Sequence, residues 1–166
     1  MKKLCLVLAM VWFLSGCGAV QTWETLADVV HTDGMQVQAR QVMLTLPSDA
    51  AMETAGMEQG ITVYACEDYF MVLQQFPSGD LGGTVKTLSG FAPAQLTMME
   101  STCEDHARYD WVWTATSEEG ELVCRGALLD DGKQHYTLCV FAPMDQAKQV
   151  QAQWNALFAS FCLASA

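Results

Sequence analysis

The C-terminal stretch Asp145 to Phe161 carries Val150, Trp154, Leu157, Phe158 and Phe161 at helical spacing, with Gln, Lys and Asn between them. Such a stripe marks an amphipathic helix that must lie on an apolar surface, because apolar area left in water costs about 25 cal/mol per Å². That requirement sets the fold class. Upstream, apolar residues recur with the period of strands. Ile61 to Cys66 and Tyr69 to Phe76 flank Glu67-Asp68 as a hairpin, and Leu96 to Thr102, Arg108 to Thr116, Glu121 to Leu129 and Tyr136 to Phe141 are separated by turn residues. Met35 to Leu46 alternates well enough for a further strand, stopped by Pro47, and residues 50 to 60 read as a loop. Asp80 is placed to cap a short helix carrying Leu81, Val85 and Leu88 and closed by Gly90. The expected architecture is therefore α+β: a mostly antiparallel β-meander with helices packed on one face, the long C-terminal amphipathic helix among them. Tyr109, Trp111 and Trp113 share one side of their strand and, with Tyr136 and Leu138, are expected beneath that helix.

The last hairpin, Leu128-Leu129-Asp130-Asp131-Gly132-Lys133-Gln134-His135-Tyr136-Thr137-Leu138-Cys139-Val140-Phe141-Ala142, and the helix ending Trp154-Asn155-Ala156-Leu157-Phe158-Ala159-Ser160-Phe161 resemble the close of the PsbP/Mog1-like fold. The resemblance implies that fold and a docking or assembly role, and transfers no partner-binding residue, because fold alone does not license function. The whole chain also resembles small lipoproteins of anaerobic Gram-positive bacteria, a family with no activity to carry over.

The N-terminus gives the sharpest functional signal. Met1-Lys2-Lys3 leads into the apolar run Leu4 to Leu14, too short for a span of roughly 20 residues, and the run ends in Leu14-Ser15-Gly16-Cys17. That tetrapeptide resembles a bacterial lipobox. It places a signal peptide at residues 1–16, cleavage before Cys17, and a thiol at the mature N-terminus able to take a diacylglyceryl group. Residues 17–34 then form the lipidated N-terminus and tether, and residues 35–166 a single α+β domain. Two or three acyl chains, palmitate among them, make a durable anchor where one does not. The expected location is the extracytoplasmic face of the cell membrane.

Charge narrows the partners. Nineteen acidic residues stand against eight basic ones, and losing Lys2 and Lys3 with the signal peptide leaves six, formally −13. Such a chain is repelled by nucleic acid and by anionic lipid, so its expected partners are the membrane, through the anchor, and an envelope protein or peptide. No cofactor is expected.

The chemistry-bearing residues leave two readings. Cys103-Glu104-Asp105-His106 gathers thiol, carboxylates and imidazole, but zinc asks for spaced pairs of ligands, and a polar loop accounts for the run as well. His31, His106 and His135 are each expected at the surface, and no nucleophile elbow is present. Gly79-Asp80-Leu81-Gly82-Gly83-Thr84 lacks the lysine and spacing of a phosphate loop. Treating Asp131-Gly132 as a two-residue turn sets Cys124 opposite Cys139, either as a cross-strand disulfide or as two small buried residues. The leading expectation is a tethered binding or assembly module presenting a groove or apolar patch. The alternative is an extracytoplasmic enzyme or metal protein using Cys103 and His106 or carboxylates.

Overall fold

A computed structural model describes residues 40–53, 60–103 and 105–164. The signal-peptide and tether residues, Cys17 and His31 included, lie outside the described residues, as does Glu104.

The β3 (Ile61–Ala65) and β4 (Phe70–Pro77) hairpin forms where the alternation places it, its turn closed by the Cys66 N–H donating to the Tyr69 carbonyl at 2.8 Å. Helix α1 (Leu81–Ser89) starts at Asp80, whose carboxylate accepts the Gly83 N–H at 2.8 Å. It stops at Gly90, which adopts φ 81° and returns its N–H to the Lys86 carbonyl. After a 3₁₀ turn at Pro93–Gln95 come β5 (Met98–Thr102), β6 (Ala107–Ser117), β7 (Gly120–Asp130) and β8 (Gln134–Pro143). A second 3₁₀ turn, Met144–Gln146, leads into helix α2 (Ala147–Ser160).

Two N-terminal strands, β1 (Val42–Met43) and β2 (Ala51–Glu53), and a C-terminal β9 (Cys162–Leu163) complete the described elements. Of the strand expected over Met35 to Leu46, residues 35–39 lie outside the described residues, and within 40–46 only Val42–Met43 is strand. It pairs with β9 rather than with the main sheet. Ala51–Glu53, expected as loop, instead adds an edge strand to β3.

The main sheet is antiparallel throughout and has seven strands in the order β2-β3-β4-β8-β7-β6-β5. Its meanders are joined by a long-range pairing, β4 against β8, from Phe70 opposite Phe141 to Pro77 opposite Gln134. Alternation along the central strands gives each face its own apolar layer. One face carries Met71, Leu129, Leu138 and Val140 beneath Val150, Trp154, Leu157 and Phe158 of α2. The other carries Phe70, Val72, Trp111, Trp113 and Phe141 beneath Val85 and Leu88 of α1.

The two helices therefore cover opposite faces instead of sharing one. Trp111 pairs with Gly126, and Gly126 with Cys139, so the tryptophan stripe lies in line with Cys139 and Phe141. Tyr136 and Leu138 point to the other side. The aromatic stripe is core, as expected, but its lid is α1.

Charged side chains fasten α2. Arg108 reaches the helix end and donates to the carbonyls of Phe158 and Phe161, both at 3.0 Å, while Asp110 holds its guanidinium at 2.7 Å. Cations at a helix C-terminus complement the dipole and satisfy carbonyls with no partner inside the helix. Arg125 lies over the Phe158 ring, 4.1 Å from its centroid, and donates to Asn155.

Candidate functional site

Beside the C-terminal end of α2, the segment that follows Arg40 runs past β3, β4 and β8 of the main sheet and leaves a groove of about 360 Å³. Val42, Leu44 and Leu46 form one wall, Tyr64 and Leu73 belong to β3 and β4, and Tyr136 and Phe161 close the inner end. Thr62 and Gln75 supply polar groups among these apolar ones. The volume is within the range of small-molecule and peptide sites, roughly 300–1,000 Å³.

The wall is fixed at several points. The Arg40 N–H donates to the Tyr136 hydroxyl at 3.0 Å, and that hydroxyl donates to Asp131 at 3.3 Å. The Arg40 guanidinium donates to the Ala164 carbonyl and pairs with Asp105 at 2.7 Å. Further along, the Thr45 N–H donates to the Ser160 hydroxyl at 3.0 Å. Burial pushes the Tyr136 phenol above its ordinary pKa, so it stays a neutral donor. The hydrogen bond from His106, with help from Arg40, holds the Asp105 carboxyl below the usual carboxylate range. Burial pulls Asp131 the other way, but the Gln134 and Lys133 N–H groups and the Tyr136 hydroxyl outweigh it and leave that carboxyl low as well. These ionised carboxylates and the phenol bind one end of the groove to the sheet.

The residues singled out in the sequence are dispersed. Cys103 closes the β5–β6 turn through its N–H to the His106 carbonyl at 2.9 Å, and the His106 imidazole pairs with Asp105 at 2.8 Å. Among the described residues, no group of three or more His, Cys, Asp and Glu side chains is placed to hold a metal ion.

The Cys124 and Cys139 pairing does not form as expected. Asp131 stands outside the turn, its carboxylate accepting the N–H groups of Lys133 and Gln134, and the chain reverses at Gly132-Lys133 instead. The register moves by two residues, so Cys124 faces Phe141 and Cys139 faces Gly126. Both thiols are free and buried. Burial raises the Cys124 thiol to about 12 and pushes Cys139 up as well, which keeps both neutral and unreactive.

His135 corrects the surface expectation. It is only 1% exposed and lies between the Thr84 hydroxyl, 2.9 Å from Nδ1, and Asp130, 3.5 Å from Nε2. Asp130 in turn accepts from Ser78 at 2.8 Å. Hydroxyl, imidazole and carboxylate follow one another as in a nucleophile relay. Thr84 is itself buried in the first turns of α1, so here the chain of bonds ties α1 to the β7–β8 hairpin. The strand period could have revealed this, since His135 alternates with Tyr136 and must point into the other layer.

Similarity to known structures follows the topology. Cyanobacterial PsbP (CyanoP) from Synechocystis sp. PCC 6803 superposes with a TM-score of 0.55 at 10% identity, covering 81% of this chain and 99% of that one. The chain has a PsbP-like fold. LpqN, described as involved in cell envelope biogenesis of Mycobacterium tuberculosis, matches with a TM-score of 0.50 at 13% identity over 78% of this chain and 87% of its own. A Pseudomonas aeruginosa protein of unknown function matches with a TM-score of 0.50 at 15% identity, over 75% and 99% of the two chains. At these identities the likeness establishes the fold and carries no activity. No protein-family model and no curated protein matches the sequence. Among the described residues, no helix is long and apolar enough to cross a membrane.

Proposed function

We propose that this chain is an extracytoplasmic binding module, anchored to the membrane by lipid on Cys17, whose groove receives an extended apolar segment of an envelope protein or peptide. The groove carries the proposal. Val42, Leu44 and Leu46 line it at every second residue, which is the period at which an extended peptide presents side chains to one side. Tyr64 adds large rigid contact area with a polar tip, a combination suited to recognition, and the buried Tyr136 ring backs the groove. The run Leu14-Ser15-Gly16-Cys17 supports the anchor, and the part of LpqN in cell envelope biogenesis is in keeping with work outside the cytoplasm.

The test is site-specific photocrosslinking in intact cells. A benzophenone amino acid replaces Leu46, which is 41% exposed at the rim of the groove, or Glu119, in the exposed β6–β7 turn, as the control. The proposal expects a reproducible adduct from position 46, absent at 119, that disappears when Thr62→Trp fills the groove. Equal adducts at the two positions, or an adduct indifferent to Thr62→Trp, refute it.

A further inference from the structure

β5 is the outermost strand at one end of the main sheet, and the groove lies towards the other. The Cys103 N–H donates to the His106 carbonyl at 2.9 Å, which fixes the phase of the β5–β6 ladder. Antiparallel hydrogen-bonded pairs alternate, so Ser101 and Met99 also bond across to β6 through Arg108 and Asp110. The N–H and C=O groups of Met98, Glu100 and Thr102 consequently point outward.

Sheet edges are ordinarily blunted by charged side chains, lysine above all, by proline, a bulge or extreme shortness, or by a covering segment. β5 has one charge, Glu100, and neither proline nor a bulge: it reads Met-Met-Glu-Ser-Thr and pairs one to one with β6 over five positions. The opposite edge strand, β2, has three residues. Beside the β5 edge, Met99 and Val112 share one face of the sheet and are 67% and 58% exposed. Among the described residues none bonds the outward groups of β5, so a strand arriving there would find open ladder groups and an apolar surface for alternate side chains.

We infer that β5 is a docking edge that accepts, as an eighth strand, an extended basic segment of another protein. Charge selects this occupant. The chain carries a formal charge of −11, and Glu100 is the middle residue of β5. Two copies paired by a two-fold axis at Glu100 would set that carboxylate directly against itself, a destabilising cross-strand pair. A foreign strand with lysine or arginine at that place gains instead. This edge is separate from the groove and does not depend on what the groove binds.

The probe is the short peptide Thr-Val-Thr-Lys-Thr-Val-Thr and its counterpart with a central Glu, titrated by NMR into the full isotope-labelled chain in detergent micelles. Expected are shift changes and slowed amide exchange at Met98, Glu100 and Thr102, with the Lys peptide bound about fivefold more tightly, the upper end for one cross-strand charge pair. Glu100→Lys should reverse that preference. Glu100→Pro removes an outward N–H and the carboxylate's bond to Tyr109 while leaving the β5–β6 backbone bonds intact, and should abolish binding while β7 resonances stay in place. Equal binding of the two peptides, shifts confined to groove residues, self-association through β5, or no response at millimolar peptide would each overturn the inference.

Discussion

Gly126 sits opposite Trp111 in the β6–β7 ladder, and a methyl group added there would meet the indole: Cε2 and Cζ2 at 2.5 Å and Nε1 at 3.0 Å. Ordinary carbon–carbon contact is about 3.5–4.0 Å, so the ring must retreat by about 1 Å. It has little room, since Trp111 is 2% exposed and stacks on Trp113 with centroids 6.2 Å apart. Overpacking of this kind costs about 1–3 kcal/mol. Against it stands the gain of replacing glycine by alanine within a strand, about 0.5–1 kcal/mol. The clash wins, and Gly126→Ala should lose about 1–2 kcal/mol, or roughly 2–8 °C in Tm for a domain of this size. Urea unfolding should show a lower midpoint with an unchanged slope. Trp111→Phe vacates the contested space, so the double variant should lose less than the two single losses added together, by at least about 0.5 kcal/mol. A neutral or stabilising Gly126→Ala, or strict additivity with Trp111→Phe, would refute the packing and with it the register that puts these residues face to face.

Arg108→Leu removes the bonds to the Phe158 and Phe161 carbonyls and should cost about 2–3 kcal/mol, with the C-terminal turns of α2 losing amide protection first in hydrogen exchange. Asp80→Ala should cost about 1 kcal/mol by urea unfolding, because the Gly83 N–H loses its acceptor. Asp131 has a folded pKa below its free value of 3.8, so its contribution is present above that pH and lost as pH falls through the lower, folded value. The stability gap between wild type and Asp131→Asn should accordingly be widest near neutrality and close in strong acid. With a thiol reagent at mildly alkaline pH, the half-buried Cys103 and Cys162 should label in the native protein, while Cys124 and Cys139 should wait for unfolding.

Local chemistry made much of this fold legible. The Asp80 cap, the Gly90 stop, the β3–β4 hairpin and the α2 stripe are set by neighbours within a few residues, and each forms close to where its pattern places it. What escaped was set at long range. Nothing near Val42 announces Leu163 as its partner, and nothing near Phe70 announces Phe141. The β7–β8 register depended on whether Asp131 joined the turn or braced it from outside, a choice made by the bonds its carboxylate accepts from Lys133 and Gln134. That same choice moved Cys124 and Cys139 out of opposition. The groove was hidden for a related reason: the alternation of Val42, Leu44 and Leu46 showed an apolar side to the segment, but not that the bond from Arg40 to Tyr136 would set it beside β3, β4 and β8. The α+β class needed only periodicity, whereas the site needed contacts between residues about a hundred positions apart, such as Arg40 with Tyr136.

The proposed role outside the cytoplasm turns on the state of Cys17, and the intact mass of the protein purified from its native membranes tests it most directly. The proposal predicts a chain beginning at Cys17 with a diacylglyceryl group on its sulfur, and loss of that mass when Cys17→Ser is introduced. A chain that retains Met1, or one cut elsewhere and free of lipid, would contradict it.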